Sequence, residues 1–135
     1  MRNISLMQKK SAPSVLVVDD EALIRWSVAE MLGERGYVVT EAGDGRMAVA
    51  AIEGAEQPFD VVLLDYRLPD SADLRLLEKV RRLAPTSQVI MVTAHNSPEL
   101  ALGAAALGAY RVISKPFEVE SLAALVKQAR DESAV

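Results

Sequence analysis

Val15-Leu16-Val17-Val18-Asp19-Asp20-Glu21 passes from four branched apolar residues to three carboxylates with no spacer. A short apolar run of this kind reads as a strand covered on both faces, and the acids that follow stand where the chain leaves the core. Four further runs repeat the apolar half of the pattern: Tyr37 to Thr40, Val61 to Leu64, Val89 to Thr93 and Tyr110 to Ser114. The segments between them have helical spacing. Ile24, Val28, Met31 and Leu32 line one stripe, Leu74, Leu77 and Val80 a second, and Leu122, Leu125, Val126 and Ala129 a third. In the last segment Glu118 and Glu120 stand at the start and Lys127 and Arg130 near the end, the polarity that complements a helix dipole. Alternating strands and helices, with strands too apolar to face water, imply right-handed crossovers. The expected architecture is a doubly wound α/β domain around a five-stranded parallel sheet.

A chain of 135 residues is the size of one domain. Residues 1–13, polar and carrying Lys9, Lys10 and Pro13 without any period, are expected to be a flexible arm; the domain is expected over 14–131, with a tail at 132–135. Half the residues are hydrophobic and a quarter charged, yet no apolar stretch approaches the roughly 20 residues of a membrane helix. The absence of cysteine excludes disulfides, thiolate metal sites and thiol catalysis. With no apolar signal core near the N-terminus, a cytoplasmic location is expected. Asn3-Ile4-Ser5 matches a glycosylation acceptor in form only. A net charge of −4 offers no general attraction to nucleic acid or to anionic membranes.

In a parallel sheet all carboxyl ends lie along one edge, where ligands bind. Asp19 and Asp20 follow the first strand, Asp65 the third, Thr93 ends the fourth and Lys115 follows the fifth. Each has a plainer role when taken alone: Asp20 as a helix cap, Asp65 as a turn former before Pro69, Thr93 as a strand residue, Lys115 as a solubilising tip. Together they are a constellation. Carboxylates gathered at one rim repel one another unless one takes up a proton or a cation sits among them. Oxygen ligands without His or Cys suit a hard ion such as Mg²⁺. With the repulsion offset, Asp65 remains an ionised nucleophile, while Lys115 and the Thr93 hydroxyl can hold phosphoryl oxygens for in-line transfer.

Leu16-Val17-Val18-Asp19-Asp20-Glu21, Val61-Val62-Leu63-Leu64-Asp65-Tyr66-Arg67-Leu68-Pro69, Val92-Thr93-Ala94 and Ser114-Lys115-Pro116-Phe117 resemble, in order and spacing, the receiver domain of two-component response regulators. The resemblance implies a CheY-like, flavodoxin-like strand order of 2-1-3-4-5 and a cis bond between Lys115 and Pro116. It implies Asp65 as phosphoacceptor, charged from a sensor histidine kinase or a small phosphodonor. Mg²⁺ would be bound by Asp20, by Asp19 mainly through water, by Asp65, and by the backbone carbonyl of Arg67. Lys115 would pair with the phosphoryl group, Thr93 would report its presence, and small Ala94 would leave the acceptor accessible. Arg67 and His95 stand at positions that modulate phosphoryl lifetime. Ile24-Arg25-Trp26 and Gly108-Ala109-Tyr110 are similar to receivers of the NtrC-type class, in which an ATPase domain and a DNA-binding domain follow; neither fits in this chain. The face of the fourth helix, fifth strand and fifth helix would carry the output and a possible homodimer. The fourth helix, mostly Ala, Gly and Leu, is expected to anchor little.

The chain departs from the family pattern at Val112, where an aromatic switch residue is common. Tyr110, assigned by strand alternation to the same face as Val112, is the candidate substitute. After Pro69 the loop reads Asp70-Ser71-Ala72-Asp73 in place of the usual glycine, implying a stiffer loop. The alternatives are a phosphorylation-independent receiver-like interaction module and a Mg²⁺-dependent phosphohydrolase, whose second Asp would fall at Arg67. A dinucleotide-binding loop is disfavoured, because Gly43-Asp44-Gly45 follows the second strand and lacks the third glycine.

Overall fold

The computed structural model describes residues 12–133. Most of the expected arm, residues 1–11, and the last two residues of the expected tail lie outside the described residues. Five strands, β1 (Ser14–Val18), β2 (Val38–Ala42), β3 (Val61–Asp65), β4 (Gln88–Thr93) and β5 (Arg111–Ser114), alternate with five helices. These are α1 (Ala22–Glu34), α2 (Gly45–Gly54), α3 (Arg75–Leu83), α4 (Pro98–Ala106) and α5 (Val119–Ser133). Helix α5 thus runs beyond the domain boundary expected at 131. The strands form one parallel sheet in the order β2-β1-β3-β4-β5, as expected.

Side-chain alternation along the strands builds two cores. Leu16, Val18, Val62, Leu64, Val89 and Met91 face α2, α3 and α4, where they meet Ala48, Leu77, Val80 and Ala104. Val15, Val17, Val61, Leu63 and Ile90 face α1 and α5, meeting Val28, Leu32, Leu122 and Val126. Each fully buried Leu, Ile or Val contributes about 1.5–3 kcal/mol relative to exposure. β1, β3 and β4 are covered on both faces, whereas the edge strands leave Val38 and Arg111 exposed, so the two-sided coverage read from sequence holds for the centre of the sheet.

Helix ends follow local chemistry. Asp44 caps α2 by accepting from the Met47 N–H at 2.8 Å, and Ser97 caps α4 by accepting from the Leu100 N–H at 3.0 Å, with Pro98 in the first turn. Gly108, at φ 92°, turns the chain from α4 into β5. Helix α4 buries only Ala104 fully, and a Cβ on Gly103 would come within 2.9 Å of the side-chain end of Leu74, the residue that precedes α3. Its apolar residues therefore anchor little, as their small size implied. The Lys115–Pro116 bond is cis.

Candidate functional site

Strand order reverses between β1 and β3, and the acids converge at their carboxyl ends. Carboxylate oxygens of Asp19, Asp20 and Asp65 all lie within 4.8 Å of one another. Asp19 and Asp65 are buried and Asp20 is exposed. From β5, Lys115 extends its ammonium between them: Nζ lies 2.9 Å from Asp19 Oδ2 and 3.1 Å from Asp65 Oδ2. Glu21 Oε1 stands 3.3 Å from the same nitrogen. One ammonium thus meets three carboxylates with Asp20 close by, and the excess negative charge with an all-oxygen donor set fits a hard divalent cation.

The charges bias one another. Burial, with help from the charge of Asp19, raises the Asp65 carboxyl above its ordinary value despite the hydrogen bonds from Lys115 and the Arg67 N–H. Burial would by itself lower the Lys115 ammonium, but its hydrogen bonds to Asp19 and Asp65 outweigh that and hold it above the usual lysine range. The lysine is therefore a fixed cation.

Backbone contacts set the remaining groups. Asp19 Oδ1 accepts from the Glu21 N–H at 2.8 Å, and Asp65 Oδ1 accepts from the Arg67 N–H at 3.3 Å. Helix α1 opens on Glu21 without a side-chain cap, so Asp20 is not spent as a capping residue. Thr93 is buried at the end of β4, its Oγ1 accepting from the His95 N–H at 3.1 Å, while the side chains of Ala94 and His95 are exposed. Ala94, Lys115, Pro116 and Phe117 line one side of an apolar groove of about 560 Å³ beside the acids. Leu23, Ile24 and Val28 of α1 line the other side.

Tyr110 and Val112 do not share a face. Val112 packs on the core under α2, α3 and α4, whereas Tyr110 packs on the core under α1 and α5, with Ile113. The alternation argument fails because Tyr110 precedes β5, in the bend that follows Gly108, where the two-residue period does not yet apply. The Tyr110 hydroxyl donates to Glu132 Oε2 of α5 at 2.6 Å, and the Arg111 guanidinium lies 4.7 Å from its ring centroid. The hydrogen bond to Glu132 raises the phenol above its ordinary value.

Three contributors were not legible as site residues. Glu21 joins the lysine cluster. Arg25 donates from Nη1 to the Asp19 carbonyl at 2.7 Å and from Nε to Glu41 Oε1 at 3.1 Å. Asp70 accepts from the N–H groups of Gly45 at 2.8 Å and Arg46 at 3.0 Å, tying the loop after Asp65 to the start of α2. The departure from glycine after Pro69 was the one sequence signal for that tie.

A family model described as the response regulator receiver domain matches residues 15–127. The DNA-binding transcriptional regulator NtrC of Salmonella typhimurium is 36% identical over 115 residues, covering 85% of this chain and 24% of that protein. The transcriptional regulatory protein PdtaR of Mycobacterium tuberculosis is 40% identical over 111 residues, covering 80% of this chain and 52% of that protein. The chain thus spans about a quarter of the length of the NtrC relatives it matches. Among solved structures, a CheY-like receiver domain protein from Methanospirillum hungatei superposes with a TM-score of 0.86 at 34% identity, covering 92% of this chain and 98% of that one. The beryllofluoride-activated NtrC4 receiver domain dimer gives 0.81 at 36%, covering 89% of this chain and 98% of that one.

Proposed function

The chain belongs to the response regulator receiver domain family of two-component systems, and from that premise we propose that it accepts a phosphoryl group on Asp65 and passes the signal through its α4-β5-α5 face. The observation that carries this reading is the Lys115 ammonium shared between Asp19 and Asp65 at the edge where strand order reverses. A phosphohistidine of a sensor kinase is the donor. An Asp65 carboxylate oxygen attacks phosphorus, the P–N bond breaks, and its electron pair returns to the imidazole, which is released neutral or takes up a proton.

Asp20, Asp19, Asp65 and the backbone carbonyl of Arg67 are the groups that would hold Mg²⁺. When bound, the ion offsets the carboxylates' repulsion and the charge developing on the phosphoryl oxygens. Lys115 pairs with a phosphoryl oxygen, and the Thr93 hydroxyl turns from its bond with the His95 N–H to donate to another. Arg67 and His95, both exposed beside the acceptor, limit the approach of hydrolytic water. The apolar groove between α1 and Phe117 is lined at its site end by Glu21 and by Lys115, the partner of Asp65, which suits it to receive a helix of the donor protein in the cytoplasm. The longer relatives suggest that the output is a DNA-binding regulator to which this domain is joined, with no nucleic-acid contact by the receiver itself.

Intact mass after incubation with Mg²⁺ and acetyl phosphate tests the proposal. Gain of one phosphoryl group that requires Mg²⁺ and is absent in Asp65→Asn is expected. An unlabelled wild type, under conditions that label another receiver, would instead favour a phosphorylation-independent interaction module.

A further inference from the structure

Asp19 is gripped at every polar atom that faces the protein. Its N–H donates to the Ala42 carbonyl at 3.1 Å, its Oδ1 accepts from the Glu21 N–H, its Oδ2 meets Lys115, and its carbonyl accepts from Arg25 Nη1 at 2.7 Å. Asp20 is different. It is exposed, and its carboxylate stands within reach of Asp19 and Asp65 by virtue of where its backbone leaves β1. The peptide that joins the two acids is the one whose carbonyl Arg25 holds.

Arg25 is in turn fixed. Its Nε donates to Glu41 Oε1 of β2 at 3.1 Å, and only 22% of its side chain is exposed. The two bonds leave from different nitrogens of one planar group, a geometry that lysine lacks. Glu41 also cancels the guanidinium charge, so the pair adds no net positive charge beside the acids.

We infer that Arg25 is a positioning residue for the divalent cation: it clamps the Asp19–Asp20 peptide so that the Asp20 carboxylate is preset to ligate. The inference rests on the reading of the acid cluster as a cation seat. It also predicts a sign. Arg25→Gln removes a positive charge near the seat, which by charge alone would tighten Mg²⁺; loss of the clamp weakens it. Arg25→Lys keeps the charge and still loses the clamp.

Calorimetric titration of the whole chain with MgCl₂, beside thermal denaturation of the same samples without metal, separates the roles. Residues that orient metal ligands commonly affect affinity by 10–100-fold, and a rise in Kd of about 10-fold is expected for both Arg25→Gln and Arg25→Lys, with both variants folded. Tighter Mg²⁺ binding by the Gln variant with an unchanged Lys variant would reduce Arg25 to a charge effect and overturn the inference. A lower Tm with unchanged Kd in the Lys variant would make the residue a plain staple between α1 and β2, which also overturns it. A wild type that takes up no Mg²⁺ would refute the cation seat itself, and the clamp with it.

Discussion

Lys115 and Asp65 are 50 residues apart in sequence, and their side chains meet at 3.1 Å with little exposure of either. The ammonium does the neutralising that a metal would do, and it holds Asp19 as well. Removing one partner of a buried ion pair costs about 3–5 kcal/mol, because the other charge stays buried without compensation. Lys115→Met is expected to destabilise the metal-free protein by about 3 kcal/mol, and Mg²⁺ is expected to narrow that gap by supplying the missing charge. Urea denaturation in EDTA and in excess MgCl₂ measures both. An equal loss in the two media would mean that lysine and cation do not share this duty.

Asp65 responds to pH with the opposite sign from an ordinary paired carboxylate. Burial and the neighbouring Asp19 raise its folded pKa above 3.8, so the folded chain binds this proton more tightly than the unfolded chain does. Its contribution to stability therefore falls as pH rises from 3.8 through the raised value, and is at its lowest near neutrality. Because Lys115 keeps its bond to Asp19 when Asp65 is neutralised, Asp65→Asn leaves no unpaired buried charge and should raise the unfolding midpoint of the metal-free protein at neutral pH. That advantage should vanish below 3.8, where both states are protonated. A variant less stable than wild type at neutral pH would show that Lys115 more than compensates the burial.

The strand count and the rim acids were legible because each rests on a local pattern, and the strand order followed from the family resemblance that the motifs carry. The short branched run Val15 to Val18 reads as a covered strand, and the acids after it then stand at its carboxyl end. What stayed hidden depends on partners distant in sequence. Arg25 bonds to a backbone carbonyl and to Glu41, and neither leaves a periodic trace around Arg25. Tyr110 was misplaced for a related reason: the two-residue period was extended one residue past the start of β5, into a bend set by Gly108. Periodicity carries only as far as the backbone that generates it.

Asp70 ties the acceptor loop to α2, and its loss should be felt in that helix. The Gly45 N–H, followed by that of Arg46, lowers its pKa, so its contribution is present above 3.8 and is lost as pH falls through the lower folded value. Asp70→Ala is expected to cost about 1 kcal/mol, the usual worth of a helix N-terminal acceptor, and to speed hydrogen exchange at the amides of Gly45 and Arg46. Asp70→Asn keeps an acceptor and should lose less. Unchanged exchange at both amides in Asp70→Ala would show that Asp44 alone holds the end of α2.

Dimerisation through the α4-β5-α5 face makes the most exposed prediction. Helix α4 buries only Ala104 fully, while Leu102 is 73% exposed on its outer side with Ala105 and Ala106. Along the same face, Arg111 is fixed over the Tyr110 ring and Glu132 accepts from the Tyr110 hydroxyl, so an acid and a base stand in set positions beside an apolar patch. A two-fold axis through such a face brings the patch against its copy and each charge towards the opposite one, the self-complementarity a symmetric dimer requires. Sedimentation velocity with and without beryllofluoride should show a dimer that forms with the phosphoryl mimic. Leu102→Glu should weaken it at least about tenfold, a loss near 1.4 kcal/mol, without slowing phosphorylation of Asp65. Tyr110→Phe, which frees Glu132, should weaken it less. A dimer indifferent to Leu102→Glu would move the interface elsewhere, and a wild type that stays monomeric with the mimic would mean that α4 signals to a different partner.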